Sequence, residues 1–338
     1  MHIHFGGGPA LIAENRVLLP LFVAHGIVAV RDAARDLSES ALAWRDSVAR
    51  AFMDGPTIFT WGHKIEGRNS IWPGDIEIDT RAGVDSALDV LQSRRVHFIK
   101  LTDNTLKPDL FRYALCEIQR RGIKSSAHIP QVVPVREAVE LGLGSIEHLS
   151  YAIRGGAERE GAPPPTDVLA QFDSASAMAL YRLMAARGTA ITPTLNISRT
   201  LAWLDTESHA NDPYLRYIGP GLRATYQGRV DRAAQAEAAA IRRRHEVYEF
   251  TAARLPPLQA IRGATINGAR FLNQSTRHGT ITVGKAADLL LLDRNPLADI
   301  SATRGIRGVV MRGVYYDRAA LDVMLRETAA RVSRMPTP

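Results

Sequence analysis

Residues 97–150 read HFIKLTDNTLKPDLFRYALCEIQRRGIKSSAHIPQVVPVREAVELGLGSIEHLS. Three short runs rich in β-branched or aromatic residues stand out: His97–Leu101, Ile123–Ile129 and Ser145–Leu149. Such runs read as strands. The first two are joined by the amphipathic segment KPDLFRYALCEIQRRG. Apolar strands that alternate with helices imply a parallel sheet buried on both faces.

The same alternation extends in both directions. Before this stretch lie Ile3–Phe5, Ile27–Arg31 and Thr57–Trp61, and after it Thr189–Leu195. The helical pattern SESALAWRDSVARAF falls between two of them. Seven such units in series predict an α/β fold, a TIM-like (β/α) barrel rather than an open doubly wound sheet. The pattern then changes. From about Pro220 to Leu255 the chain reads as one long helical stretch, which Pro256 and Pro257 interrupt, since proline breaks a helix interior. A second helix, LQAIRGATINGARFL, follows directly, with no strand between. The barrel is therefore expected to be incomplete, with seven recognisable strands. Beyond Gly279, Ala286–Asp293 and Ile306–Tyr315 predict a small C-terminal β-element, and Arg318–Val332 a closing helix. The expected division is a barrel over 1–272 and a β-sandwich remnant with its terminal helix over 273–338.

Composition narrows the function. The chain has 338 residues, 46% hydrophobic and 23% charged, as in ordinary globular proteins. No apolar run reaches the eighteen or so residues of a membrane span. The start, MHIHFGGGPA, has neither the basic nor the apolar region of an export signal, so a cytoplasmic location is expected as written. Net charge is +7, but the excess is scattered over arginines such as Arg120, Arg121 and Arg242–Arg244. That is the pattern of a solvated surface, so no nucleic-acid partner is expected. The single cysteine, Cys116, sits in a helical pattern and reads as a small packed residue. A small-molecule substrate is the expected partner, and self-association is compatible with the sequence.

Besides His97, which opens the fourth predicted strand, four of the ten histidines lie at or within predicted strands, in suggestive places. His2 and His4 are two apart, so on a strand both imidazoles point the same way and can grip one ion. His128 and His148 sit at the ends of the fifth and sixth strands, where barrel active sites lie. Lys100 ends the fourth. A lysine aimed into an apolar barrel is costly unless its charge is paired or altered. Reaction with carbon dioxide would give a carbamate, an anionic ligand able to bridge two metals. Each feature is weak alone; their order along successive strands gives them weight.

That order resembles the amidohydrolase superfamily, in its imidazolonepropionase-like and prolidase-like branch. The motifs MHIHFGG, GIVAVRDAA, FIKL, AHIP, GSIEHLS and ITPTLN agree, as does AIRGATINGARFL followed by GTITVGKAADLLLLDRNPL. The resemblance implies that His2 and His4 bind the more buried metal, that carboxylated Lys100 bridges, and that His128 and His148 bind the second ion. Zinc is the leading candidate. A bridging water would then attack an amide-like carbonyl of a small molecule. Two departures are expected from the family pattern. The chain begins inside strand one, at the position after the aspartate of the Asp-x-His-x-His motif. The strand-eight aspartate that carries the proton is absent, which implies a loss of roughly forty to fifty residues near Pro256–Pro257 when measured against the usual barrel unit. A catalytically impaired metal-binding remnant is therefore the alternative to an active hydrolase.

Several loop residues are substrate candidates. Asp103 and Asn104 follow Lys100, and either touch substrate or cap the next helix. Asn196 and Arg199 suit a substrate carboxylate. His63, Arg68 and Trp72 lie in a long loop that is an active-site loop or a plain surface one. Glu147, by strand alternation, is expected to point away from the interior that His148 faces. His25, His97, His209, His245 and His278 read as structural or surface residues. Gly6–Gly8 lack the lysine and spacing of a phosphate loop.

Overall fold

The computed structural model describes every residue except 1, 34–36, 72–73, 236, 252–254 and 338. Trp72 lies outside the described residues. The chain forms two compact units: Met1–Phe59, Trp203–Glu237 and Ala253–Pro338 in the first, and Thr60–Ala202 with Ala238–Ala252 in the second.

In the first unit, β1 (His2–Ile3) pairs in parallel with β2 (Ala29–Asp32), with His2 opposite Arg31. The sheet continues to β3 (Thr57–Thr60). Phe5, Leu19, Val30, Trp44, Val48 and Ile58 form its apolar core.

The second unit contains a six-stranded sheet. Its strands are β4 (Ile65–Gly67), β5 (Ile76–Ile78), β6 (Ile99–Leu101), β7 (Ser125–Ala127), β8 (Ser145–Glu147) and β9 (Ala190–Thr192). They are ordered β5-β4-β6-β7-β8-β9, and every pairing is parallel. Register decides which side chains share a face. Lys100 lies opposite Ser126, and Ser126 opposite Ser145. The intervening residues Ile99, Leu101, Ala127 and Ile146 pack against Leu88, Leu91, Phe111, Leu115 and Val139 of the covering helices. One face of the sheet is therefore apolar and helix-covered, while the other carries Lys100, Ser126 and Glu147.

A third sheet, back in the first unit, is antiparallel: β10 (Leu289–Leu292), β11 (Ile306–Met311) and β12 (Val314–Asp317). The helix Arg318–Val332 follows, with the Asp317 carboxylate accepting from the Ala320 N–H as an N-cap. Val309, Met311 and Leu321 join Val23 and Ala24 in a second core of this unit.

The chain thus has the α/β fold expected, with parallel strands, covering helices and a small C-terminal antiparallel sheet. The seven expected strands all form, each shorter than its sequence run. The structure adds β4 and β5, which lie in the loop after the third expected strand. Among the described residues no strand lies between β9 and β10. The single long helix expected over 220–255 is instead two, Pro220–Ala234 and Ala238–Thr251. The break falls where the chain passes from one compact unit to the other, so each half packs in its own surroundings. The first half is anchored by Glu14, whose carboxylate accepts from the Gly221 and Leu222 N–H groups at 3.0 and 2.7 Å. The second half meets Phe172 through Phe250, edge to face at 4.8 Å. Cys116 is exposed rather than packed, because it falls on the solvent side of the helix Pro108–Arg120. Among the described residues no helix is long and apolar enough to cross a membrane.

Candidate metal centre

His2 and His4 lie in the first unit. Their Nε2 atoms are 2.9 Å apart, and their ring centroids 5.0 Å. Two nitrogens on one tetrahedral zinc ion would sit about 3.3 Å apart, given zinc–nitrogen bonds of about 2.05 Å. The same-face geometry of a two-residue spacing therefore yields a convergent donor pair. The chain just beyond is held firmly. The buried Asn15 side chain receives the Gly6 N–H at 3.0 Å and donates to the Gly6 carbonyl at 2.9 Å. The Asp32 carboxylate accepts from the Phe5 N–H at 3.2 Å.

Lys100, Asp103, His128 and His148 lie in the second unit, at or just past strand C-terminal ends. Lys100 is 1% exposed, with its Nζ 5.7 Å from the Trp61 ring centroid. His128 continues the β7 ladder, its N–H donating to the Leu101 carbonyl at 3.1 Å. Burial, and then the positive charges of Lys100, His148 and Lys64, hold the His128 imidazole well below its ordinary pKa. A neutral ring with a lone pair is what a metal requires. The His128 and His148 centroids are 5.0 Å apart.

His148 reaches this position by an unusual route. It has φ +75°, a region few residues other than glycine adopt. Its N–H still donates to the Thr192 carbonyl at 2.9 Å, and its Nδ1 lies 2.7 Å from the Thr194 Oγ1. Thr194 also has positive φ, +49°. Such conformations cost about 1–3 kcal/mol each and cluster at functional sites.

This backbone turn corrects the expectation for Glu147. The alternation argument holds only within a strand, and β8 ends at Glu147. Glu147 therefore shares the polar face with Lys100 and is fully buried. It accepts from the Ser126 Oγ at 2.6 Å and the Ser145 Oγ at 3.1 Å.

The loop candidates scatter. Asp103 does not cap the following helix, whose N-cap is Lys107 and has no side-chain cap bond. Instead its carboxylate accepts from the Tyr151 hydroxyl at 2.7 Å. Burial, and then the Asp103 charge, push the Tyr151 phenol above its ordinary range, which keeps it a donor. Asn104 donates to Glu66 at 3.0 Å. His63 Nδ1 sits 2.6 Å from the Gly74 carbonyl, a contact that ties its own loop. Arg68 pairs with Asp79 at 2.6 Å. Asn196 and Arg199 are exposed on the helix Leu195–Ala202. The sequence reading gave no role to Glu66, Tyr151, Asn15 or Asp32; of these only Asp32 falls within a quoted motif, GIVAVRDAA.

The donor chemistry of both histidine pairs and of buried Lys100 suits a divalent metal. Within the histidine, cysteine and acidic side chains, however, no group of three or more is placed to hold an ion among the described residues.

No curated protein matches the chain. Residues 231–315 match the amidohydrolase family. Among solved structures, a Xaa-Pro dipeptidase with methionine bound in its active site is similar at 18% identity and a TM-score of 0.63, covering 94% of this chain and 85% of its own. The bottromycin amidohydrolase aligns at 18% identity and a TM-score of 0.66, covering 94% and 77%. The A. niger ochratoxinase aligns at 18% identity and a TM-score of 0.63, covering 94% and 81%. The tail of the chain thus matches the amidohydrolase family, and its fold is shared with these enzymes.

Proposed function

We propose that this protein is a metal-dependent hydrolase of carbon–nitrogen bonds in small molecules, with dipeptide-like or N-acyl amino acid substrates foremost. The observation that carries this reading is the pairing of His128 with His148 beside buried Lys100, on three adjacent parallel strands. His128 and His148, with Lys100 as a carbamate beside them, would hold one ion, and His2 and His4 would offer a second donor pair. Zinc fits these ligands, and when bound it would supply an acidified water and polarise the scissile carbonyl. The chain's own residues prepare the site. Burial keeps His128 neutral, the Thr194 contact fixes the His148 ring, and the Ser126 and Ser145 hydroxyls hold the Glu147 carboxylate in place. The hydrolase portion corresponds to residues 1–272, with 273–338 as the sandwich remnant.

One observation favours a second reading, a metal-binding remnant with impaired turnover. Among the described residues no strand lies between β9 and β10, which supports the expected lack of a strand-eight aspartate to carry the proton. Metal content measured together with hydrolysis of a panel of Xaa-Pro dipeptides and N-acyl amino acids separates the two. Bound zinc with zinc-dependent hydrolysis supports the enzyme. Bound zinc without turnover supports the remnant. A protein that binds no divalent ion after incubation with zinc and bicarbonate overturns both.

A further inference from the structure

One cleft of the first unit plays no part in the proposal above. It lies between the 3-10 turn Pro213–Tyr217, the start of the helix Pro220–Ala234 and the end of the helix Arg318–Val332. Its volume is about 550 Å³. That falls within the span of small-molecule pockets, about 300–1,000 Å³. Arg216 and Arg223 line it together with the apolar side chains of Ile218, Pro220, Val332 and Met335. Among the described residues no acidic side chain lines it.

Arginines beside a helix end commonly satisfy its last carbonyls. Here those carbonyls are already satisfied. The Ala329, Arg331 and Val332 carbonyls accept from the Ser333, Arg334 and Met335 N–H groups at 2.9, 3.3 and 3.0 Å. The Ala330 carbonyl accepts from the Ser333 Oγ and the Arg334 Nε, both at 3.0 Å. Arginines also commonly pair with carboxylates, but among the described residues neither of these does. The acids of the surrounding elements have other partners. Asp212 accepts from the Tyr214 N–H, Asp231 from the Gln227 amide, and Glu14 from the Gly221 and Leu222 N–H groups. Asp322 pairs with Arg318, and Glu327 with Arg331. The Arg216 guanidinium lies over the Tyr217 ring, with its Cζ 4.8 Å from the centroid. Stacking occupies the face of a guanidinium and leaves the N–H groups at its edge for a ligand. The Arg223 Nε donates to the Ile218 carbonyl at 2.9 Å, and its Nη2 to the Leu215 carbonyl. These bonds fix the group in place and leave Nη1 with both its donors.

We propose that this cleft is a binding site for a small carboxylate with an apolar body. The two guanidiniums recognise the carboxylate through charge-assisted hydrogen bonds, and Ile218, Val332 and Met335 cover the body. The anion offsets two like charges that no carboxylate of the described residues pairs with. The site shares no residue with the candidate metal centre, so it stands or falls apart from that reading.

The test is calorimetric titration of the full chain, freed of metal by a chelator, with phenylacetate and with phenylacetamide, its uncharged counterpart. The expected result is saturable binding of one phenylacetate with a Kd of about 1 mM or tighter. Phenylacetamide is expected to bind about 10-fold or more weakly, because it forms no charge-assisted bond. Arg216→Gln, whose side chain makes no hydrogen bond within the described chain, is expected to fold and to weaken phenylacetate binding about 10-fold. Ala330→Trp fills the cleft and is expected to abolish binding. A wild-type protein that does not saturate by about 10 mM phenylacetate overturns the proposal without any variant needing to fold. Equal binding of phenylacetamide also overturns it, as does an Arg216→Gln protein that folds by circular dichroism and binds like the wild type. Inorganic phosphate binding as tightly as phenylacetate overturns the assignment of an apolar body.

Discussion

His128 and His148 bring their ring centroids to 5.0 Å at a 35° tilt, although one extends a regular strand ladder and the other leaves its strand through a left-handed residue. The two backbones are not equivalent, yet their imidazoles share one location. If that location is a metal site, the pair acts as a unit. His128→Ala and His148→Ala should each remove one metal equivalent by elemental analysis of the purified protein. The double variant should remove no more than either single change. Loss of both equivalents from one substitution, in a folded protein, would show that the pair does not serve one ion.

Lys100 provides a second test. Growth with labelled bicarbonate should give a carbamate carbon signal in the wild type, and Lys100→Met should abolish it. Because methionine removes a buried ionisable group without leaving a void, thermal stability of the metal-free protein should be unchanged or rise by about 1 kcal/mol. A wild-type spectrum without the carbamate signal, recorded with zinc present, would remove Lys100 from the ligand set.

Glu66 ties β4 to the loop that follows Lys100. Its carboxylate accepts from Gly67, Asn104, Thr105 and Leu106 backbone N–H groups and from the Asn104 amide, at 2.7–3.2 Å. Burial pushes its pKa up, but bonds from Thr102, Gly67, Asn104 and Thr105 outweigh that and hold it below the ordinary carboxylate value. A depressed folded pKa stabilises the fold above the unfolded value of about 4.3 and loses that contribution as pH falls through the folded one. Chemical denaturation should therefore show a fall in stability on acidification below about pH 4. Glu66→Gln should be less stable at pH 7 and show a smaller fall. Equal acid sensitivity in both proteins would assign the effect to other carboxylates.

Gly67 stands where no side chain fits. A Cβ there would meet the Thr105 carbonyl oxygen at 2.0 Å, and that neighbour is backbone, which cannot swing aside. Gly67→Ala should cost about 2–3 kcal/mol by overpacking. Gly122→Ala is a useful contrast, since nothing lies within 4 Å of a Cβ there, although its φ of +68° disfavours a side chain. Equal destabilisation of the two variants would mean that the close approach at Gly67 costs no more than the left-handed backbone at Gly122.

Much of the fold was legible because period and composition act locally. The runs at His97–Leu101, Ile123–Ile129 and Ser145–Leu149 each contain an observed strand, since β-branched residues flanked by an amphipathic helix leave few other choices. β4 and β5 escaped notice because IEG and IEI hold only one and two apolar residues and adjoin a stretch rich in glycine and polar residues. The break between the helices Pro220–Ala234 and Ala238–Thr251 also lacks a local mark, having neither proline nor glycine. Packing partners decide it.

For the site, the same division holds. The sequence alone determined which residue types stand at strand ends: His2 and His4 two apart, then Lys100, His128 and His148 in order. It did so because side chains alternate along a strand and active-site residues gather at strand C-termini. Only the tertiary structure decided that Glu147 shares a face with Lys100, that His148 turns through a left-handed backbone, and that Asp103 meets Tyr151 rather than a helix end. Those outcomes depend on register and on hydrogen bonds between residues up to 48 positions apart, where no local pattern reaches.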